Sequence, residues 1–215
     1  MNTFSTGAAL RFGWETFKKR SWFLVGATLL ALVLMWVTGA VQDGHKGYDA
    51  LGLLAFLASL GLSTLVDMGL TSFTLRAHDD ITKVSLHDLW HPRSFWSFLA
   101  AAILVGLAVV FGLILFIIPG VILMLMFAFV KFLVIDRDLG PIEAMKESAH
   151  ITHGHRFELL LLFLAIIGLN VFGAILLIVG LLVTIPVSML SLAYTYRTLA
   201  RQTSDAHANT SPISS

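Results

Sequence analysis

Two ionisable residues lie inside long apolar stretches of this 215-residue chain. Asp67 falls within the apolar block 51–75, and Lys131 falls within the block 121–135. A charge at the centre of a bilayer costs roughly 2.5–3.5 kcal/mol on insertion scales, so each residue needs a partner or a water-filled cavity. At the helical rise per residue, both positions lie about 12–13 Å from the same face of the membrane. The sequence therefore predicts an intramembrane contact between Asp67 and Lys131.

Two interpretations of this polar pair remain open. In the first, the pair is structural, or Asp67 is protonated and bonded to a neighbouring hydroxyl such as that of Ser63 or Thr71. In the second, the pair serves transport or a proton relay, which is a common role of ionisable residues inside helical bundles. The first interpretation is the more usual one.

Histidines form the second group whose spacing could support chemistry. His87 and His91 have the i, i+4 spacing of one helix face, and His150 and His153 lie together in a later polar segment. These four are weak candidates for a metal site, because their spacing matches no established zinc pattern. Solvated histidines beside the membrane are the favoured alternative. We therefore predict no metal and no cofactor.

Signatures of catalysis are absent from the sequence. The chain has no cysteine, which excludes thiolate nucleophiles and thiolate metal sites. Phosphate-binding loops, dinucleotide fingerprints, nucleophile elbows and zincin motifs are also missing. The net charge of +1 gives no reason to expect a nucleic-acid partner. We predict no catalytic residues and no enzymatic activity.

The elements that must position the pair are membrane-spanning helices. Hydrophobic residues make up 57% of the chain and charged residues 13%, whereas a soluble domain is roughly 45–50% apolar and about 25% charged. The uncharged run 159–196 is too long for one crossing of the bilayer, so it must fold back. Gly173 and Gly180 bracket the expected turn, and Pro119–Gly120 separates two earlier blocks. Six spans are predicted, at about 22–41, 51–75, 95–118, 120–135, 157–176 and 180–199.

Orientation follows from the Lys and Arg residues. With the N-terminus in the cytoplasm, thirteen of the fourteen fall in cytoplasmic segments, and Lys46 alone falls outside. Such a bias is what the positive-inside rule predicts. The prediction is an all-α, polytopic bundle over residues 1–201, in a bacterial inner membrane, with both termini cytoplasmic. The polar tail 202–215 is predicted to be disordered.

Short amphipathic segments precede each predicted pair of spans. Segment 9–24 and segment 144–159 echo each other at a constant offset of 135, and a looser copy lies at 86–99. We predict amphipathic interfacial helices on the cytoplasmic side. Two explanations stay open: a true internal repeat, or the recurrence of basic and aromatic residues before any helix that starts at the cytoplasmic face.

Three short motifs resemble a bacterial membrane family. They are Ile117-Ile118-Pro119-Gly120-Val121-Ile122, Leu133-Val134-Ile135-Asp136 and Gly140-Pro141-Ile142-Glu143-Ala144-Met145-Lys146-Glu147-Ser148. The chain is similar there to the YciC-like inner-membrane proteins, which are related to the membrane domain of some glycerophosphodiester phosphodiesterases. The resemblance implies a six-span inner-membrane protein, and catalysis in the fused relatives belongs to a separate soluble domain.

Taken together, these patterns predict a non-enzymatic inner-membrane protein that interacts with membrane lipids or with other membrane proteins. The main alternative is a small transporter or channel that uses Asp67 inside the bundle. A third class, an intramembrane lipid enzyme, rests only on the loop histidines and carboxylates. The substrate, the partner proteins and the oligomeric state do not follow from the sequence.

Overall fold

The computed structural model describes residues 5–19, 21–44, 50–80, 94–176 and 178–210. All regular structure in these ranges is α-helical. The helices are α1 (Thr6–Lys19), α2 (Ser21–Gly44), α3 (Ala50–Asp80), α4 (Phe95–Leu115), α5 (Ile117–Met126), α6 (Val130–Arg137), α7 (Pro141–Ile151), α8 (Arg156–Ile175) and α9 (Ile178–Thr210).

Four stretches in these ranges are long and apolar enough to cross a membrane. They are Gly52–Ala77 in α3, Phe95–Leu115, Ile117–Arg137 across α5 and α6, and Arg156–Ile175. Each has at least 20 residues, which is the length that a hydrocarbon core about 30 Å thick requires. A shorter apolar stretch, Ser21–Leu34, lies in α2. The chain is therefore an all-helical protein with the helices of a membrane-embedded bundle.

Tight glycine contacts close two helical hairpins. A Cβ atom on Gly112 would lie 3.0 Å from the Cα atom of Gly120, where α4 crosses α5. A Cβ atom on Gly180 would collide with the backbone of Gly173, where α8 crosses α9. Small residues let helix backbones approach closely in membranes. These glycines thus act through close packing rather than through turn geometry.

The boundary between α4 and α5 differs from the predicted one by a few residues. The break lies at Phe116, which is extended (φ −162°, ψ 153°), and Pro119 is the third residue of α5. Proline is tolerated there because the first N–H groups of a helix have no intrahelical partner. Helix α4 thus ends at Leu115 and α5 begins at Ile117, a few residues before the predicted span boundaries at 118 and 120.

The apolar stretch Ile117–Arg137, which contains the predicted span 120–135, is interrupted between α5 and α6. The α-helical hydrogen-bond pattern is interrupted at Phe127–Phe129, where Val130 N bonds to the carbonyl of Phe127 at 3.3 Å instead of that of Met126. The interrupted turn leaves Met126 O and Phe129 N without partners in their own helix. Ser148 of α7 supplies both: its Oγ donates to Met126 O at 2.8 Å and accepts from Phe129 N at 3.2 Å.

Amphipathic helix α1 packs along α9. Gly13 is the point of closest approach, since a Cβ atom there would lie 2.5 Å from Ser191 Oγ and 2.6 Å from Val187 O. On the outer face of α1, Arg11 Nε donates to Glu15 Oε1 at 2.8 Å. That hydrogen bond holds the pKa of the Glu15 carboxyl below its ordinary value. The contact with α9 therefore anchors a helix whose other face is polar.

Helix α9 extends beyond the last predicted span into the segment 202–215, for which disorder is predicted. Helix α9 continues to Thr210, so residues 202–210 are helical, and the last five residues of the predicted tail lie outside the described ranges. Extending an existing helix needs no new nucleus, which makes each added residue cheap even in a polar sequence. Thr203 Oγ1 also donates to the carbonyl of Leu199 at 3.0 Å.

Candidate functional site

The structure brings the two intramembrane charges together. Lys131 Nζ of α6 forms an ion pair with Asp67 Oδ2 of α3. Helix α3 contacts both α6 and α9, and Asp67 lies on the side of α3 that contacts α6. Lys131 is the second residue after the interrupted turn Phe127–Phe129. The Ser148 hydrogen bonds that stabilise this turn therefore help to position the ammonium group.

An aromatic ring lies beside the ion pair. Lys131 Nζ lies 5.9 Å from the ring centroid of Phe98, and the Phe98 side chain is fully buried. A cation within about 6 Å of an aromatic centroid is attracted by the ring quadrupole. The ammonium group is thus held between a carboxylate and a ring face.

The pair is accessible rather than sealed in the core. The side chains of Lys131 and Asp67 are 43% and 40% exposed. Two cavities meet at Asp67: one of about 300 Å³ also reaches Lys131 and Thr74, and one of about 350 Å³ also reaches Ser63 and Thr64. Both are bounded by Ala102 of α4. A small ligand in either cavity would contact the Asp67 side chain.

A second polar network, which sequence reasoning missed, links α6 to α9. Asp136 Oδ2 accepts a hydrogen bond from Tyr196 OH at 2.8 Å and another from Arg197 Nη1 at 2.9 Å. The ring of Tyr196 stacks on Phe132 with a centroid distance of 5.4 Å. The sequence signal was present, because Asp136 and Arg197 both end apolar runs, but nothing local paired residues that are 61 positions apart.

The metal-ligand candidates do not form a cluster in the described ranges. His150 lies in the last turn of α7 and His153 in the turn that follows. Within those ranges no three His, Asp or Glu side chains are arranged to hold a metal ion. His87 and His91 lie outside the described residues. The histidine hypothesis thus gains no geometric support, and the intramembrane pair is the candidate site.

Comparisons with known proteins connect this chain to bacterial proteins without an assigned role. A family model described as "Protein of unknown function (DUF975)" matches residues 108–203, a segment that contains Lys131 but not Asp67. The uncharacterised protein Rv2560 of Mycobacterium tuberculosis is 27% identical over 225 residues, which covers 92% of this chain and 69% of the relative. The uncharacterised protein Mb2590 of Mycobacterium bovis gives the same identity and coverage.

No solved structure matches the chain at a significant level. The comparisons are consistent with a bacterial membrane family. They show neither the YciC-like relationship nor the relationship to the phosphodiesterase membrane domain, so both stay predictions.

Proposed function

We propose that this chain is a six-span, non-enzymatic protein of a bacterial inner membrane that binds lipids or other membrane proteins. In this proposal α2 and α9 complete the set of spans that the four long apolar stretches begin. Helices α1 and α7 lie at the cytoplasmic interface, and both termini are cytoplasmic. The YciC-like resemblance supports the same topology.

The observation that carries the proposal is the apolar outer surface of α4 and α8. Large side chains along both helices are exposed in the isolated chain, among them Phe111, Ile114, Leu164 and Phe172. Contiguous apolar surface of this extent marks a membrane or protein contact. Lipid chains or a partner's spans must cover these side chains.

Exposed aromatic residues support a common interface for three helices. Trp22, Trp96 and Phe157 are each the second residue of their helix, α2, α4 and α8, and are 91%, 75% and 68% exposed. Aromatic residues concentrate at the membrane–water boundary. Three helices that begin at one face are what the six-span arrangement requires.

Cysteine labelling tests this topology directly, because the natural chain has no cysteine. We expect a membrane-impermeant maleimide to label Lys46→Cys in intact spheroplasts and to label His153→Cys only after permeabilisation. Labelling of both variants in permeabilised membranes is the control for reactivity. The reverse pattern would contradict the six-span orientation.

Lipid retention tests the proposed binding role. We expect the chain, purified in mild detergent, to keep phospholipid that native mass spectrometry detects as discrete mass additions. Delipidation should lower its thermal stability, and added lipid should restore it. A delipidated protein that is equally stable and associates with no other membrane protein would refute the role.

The ion pair and its cavities favour a second candidate function, a small transporter or channel that uses Asp67. In liposomes that contain a pH-sensitive dye, we expect a potassium diffusion potential to drive proton flux through the natural chain. Asp67→Asn should abolish this flux, whereas the matched change Asp138→Asn should preserve it. Flux that survives Asp67→Asn would exclude a relay through this carboxylate.

A further inference from the structure

The surroundings of Lys131 Nζ show what kind of group this site accommodates. The ammonium is held by the carboxylate of Asp67 and by the ring face of Phe98, at 5.9 Å from its centroid. A carboxylate combined with an aromatic face is a recurrent arrangement for recognising ammonium ligands. Lys131 therefore occupies a site whose chemistry suits any ammonium group of similar size.

The hydroxyl groups that line the cavities add acceptors. Ser63 and Thr64 donate to the carbonyl of Leu60, at 3.0 and 2.7 Å. Thr71 donates to the carbonyl of Asp67 at 2.8 Å, and Thr74 donates likewise to its own helix. Each hydroxyl proton is thus committed to the backbone, while the oxygen can still accept. The polar lining accordingly favours a hydrogen-bond donor over an anion.

The rest of the lining favours an organic cation over a bare metal ion. The cavity that contains Lys131 is otherwise bounded mainly by apolar side chains, including Ala101, Val105 and Phe163. A hard metal ion needs a shell of several oxygen ligands. An alkylammonium group needs fewer, and its carbon atoms can contact the apolar wall.

We propose that the Asp67 site binds an ammonium group, carried either by a free alkylammonium ion or by the amine of a phosphatidylethanolamine head group. Lys131 is the tethered competitor for the same carboxylate. Ligand binding displaces the Lys131 ammonium from Asp67 into the adjoining cavity space. This inference rests on the proposed binding or transport function, for which it names the ligand class.

Because Lys131 competes with the ligand for Asp67, removing Lys131 should strengthen ligand binding. A tethered competitor lowers the apparent affinity in proportion to the fraction of time for which the site is free, so an occupancy of about nine-tenths would correspond to a tenfold reduction. Lys131→Met should therefore tighten ethylammonium binding to the detergent-purified full chain by about tenfold, measured by calorimetry at constant ionic strength. Lys146→Met, the same change in α7, should leave the affinity unchanged.

The double variant Asp67→Asn/Lys131→Met tests the carboxylate without leaving an unpaired charge. It should melt cooperatively and show at least a tenfold loss of ethylammonium affinity relative to Lys131→Met. Equal affinity in the single and double variants, or equal binding of sodium and ethylammonium to Lys131→Met, would overturn the proposal.

Nanodiscs distinguish the two sources of the ammonium group. Phosphatidylethanolamine added to phosphatidylglycerol nanodiscs should compete with ethylammonium for Lys131→Met if the lipid amine is a ligand. Ethylammonium binding without such competition would assign the site to a free ion. Absence of ethylammonium binding together with failure of phosphatidylethanolamine to stabilise Lys131→Met would refute the ligand class. The topology labelling does not depend on these results, so failure of this inference is separable from failure of the six-span proposal.

Discussion

Replacing Ser148 with alanine tests whether one side chain of α7 stabilises the interruption between α5 and α6. Ser148 is fully buried. Its Oγ is bonded to Met126 O and Phe129 N, the two backbone groups that have no partner in their own helix at the interrupted turn. In Ser148→Ala the amide of Phe129 loses this partner. The Met126 carbonyl keeps Thr152 Oγ1 at 3.3 Å.

The expected loss of stability in Ser148→Ala comes mainly from the Phe129 amide, because the Met126 carbonyl keeps a partner. Leaving a buried donor unsatisfied costs about 1–3 kcal/mol, and side-chain hydrogen bonds between membrane helices average about 0.6 kcal/mol with a maximum near 1.7. Helix propensity favours alanine over serine by about 0.5 kcal/mol. We expect Ser148→Ala to lower the free energy of unfolding by about 1.5 kcal/mol.

Ser191→Ala is the matched control. Ser191 is also fully buried, but its Oγ donates to Val187 O within α9 at 2.8 Å. That carbonyl keeps its helical N–H donor when the hydroxyl is removed, so no backbone group is orphaned. The propensity gain is the same in both variants. The difference between them, about 2 kcal/mol, therefore isolates the unsatisfied group.

The assay is reversible unfolding of the detergent-purified chain in sodium dodecyl sulfate, followed by circular dichroism. Hydrogen exchange at the Phe129 amide gives an independent readout, and Ser148→Ala should accelerate it. If the two alanine variants differ by less than about 0.5 kcal/mol, a typical error of such comparisons, Ser148 does not stabilise the turn and our account of the interruption fails.

Three further substitutions have defined expectations. Gly13→Ala should destabilise the chain by about 1–3 kcal/mol through overpacking of α1 on α9. Gly26→Ala, which has open space around it inside α2, should not destabilise the chain in the same assay and should gain a few tenths of a kcal/mol or more from helix propensity, up to about 1 kcal/mol. Gly180→Ala should disrupt the α8–α9 crossing and lower the melting temperature, whereas Gly168→Ala, which also has open space, should not. Asp136→Ala should cost about 2–3 kcal/mol, because the α6–α9 network loses a charged acceptor, and an unchanged melting curve would show that the network is dispensable.

The contact between Asp67 and Lys131 could be predicted from the sequence, because the prediction needs only the depth of each residue in the membrane. Each apolar block fixes a helix, and a helix has a constant rise per residue, so two ionisable residues at equal depth are natural partners. The interruption at Phe127–Phe129 was not accessible in this way. That segment contains neither glycine nor proline, and its partner Ser148 becomes visible only after α7 has packed.

The sequence predicts a turn bracketed by Gly173 and Gly180, and the chain does turn between them, since α8 ends at Ile175 and α9 begins at Ile178. The sequence does not predict the contact between these glycines. Their spacing is set by backbone contact across the hairpin, which has no signature in a single sequence. The close contact of Gly13 with α9 likewise has no signature in a single sequence. Its missing side chain makes room for Ser191.

The packing of α1 and α7 bears on the internal repeat. Helix α1 precedes the hairpin of α2 and α3 but packs on α9, and α7 precedes the hairpin of α8 and α9 but packs on α4 and α6. Each thus contacts a hairpin other than its own. The residue at the tightest contact of α1 is Gly13, and Ser148, 135 positions later, is the residue of α7 that bonds to the interrupted span. Duplication of a unit made of one amphipathic helix and one hairpin would place buried contact positions at this common offset. Gly13 acts through its missing side chain and Ser148 through its hydroxyl, so the two positions share a place in the helix but not a kind of contact, and both explanations of the repeat stay predictions.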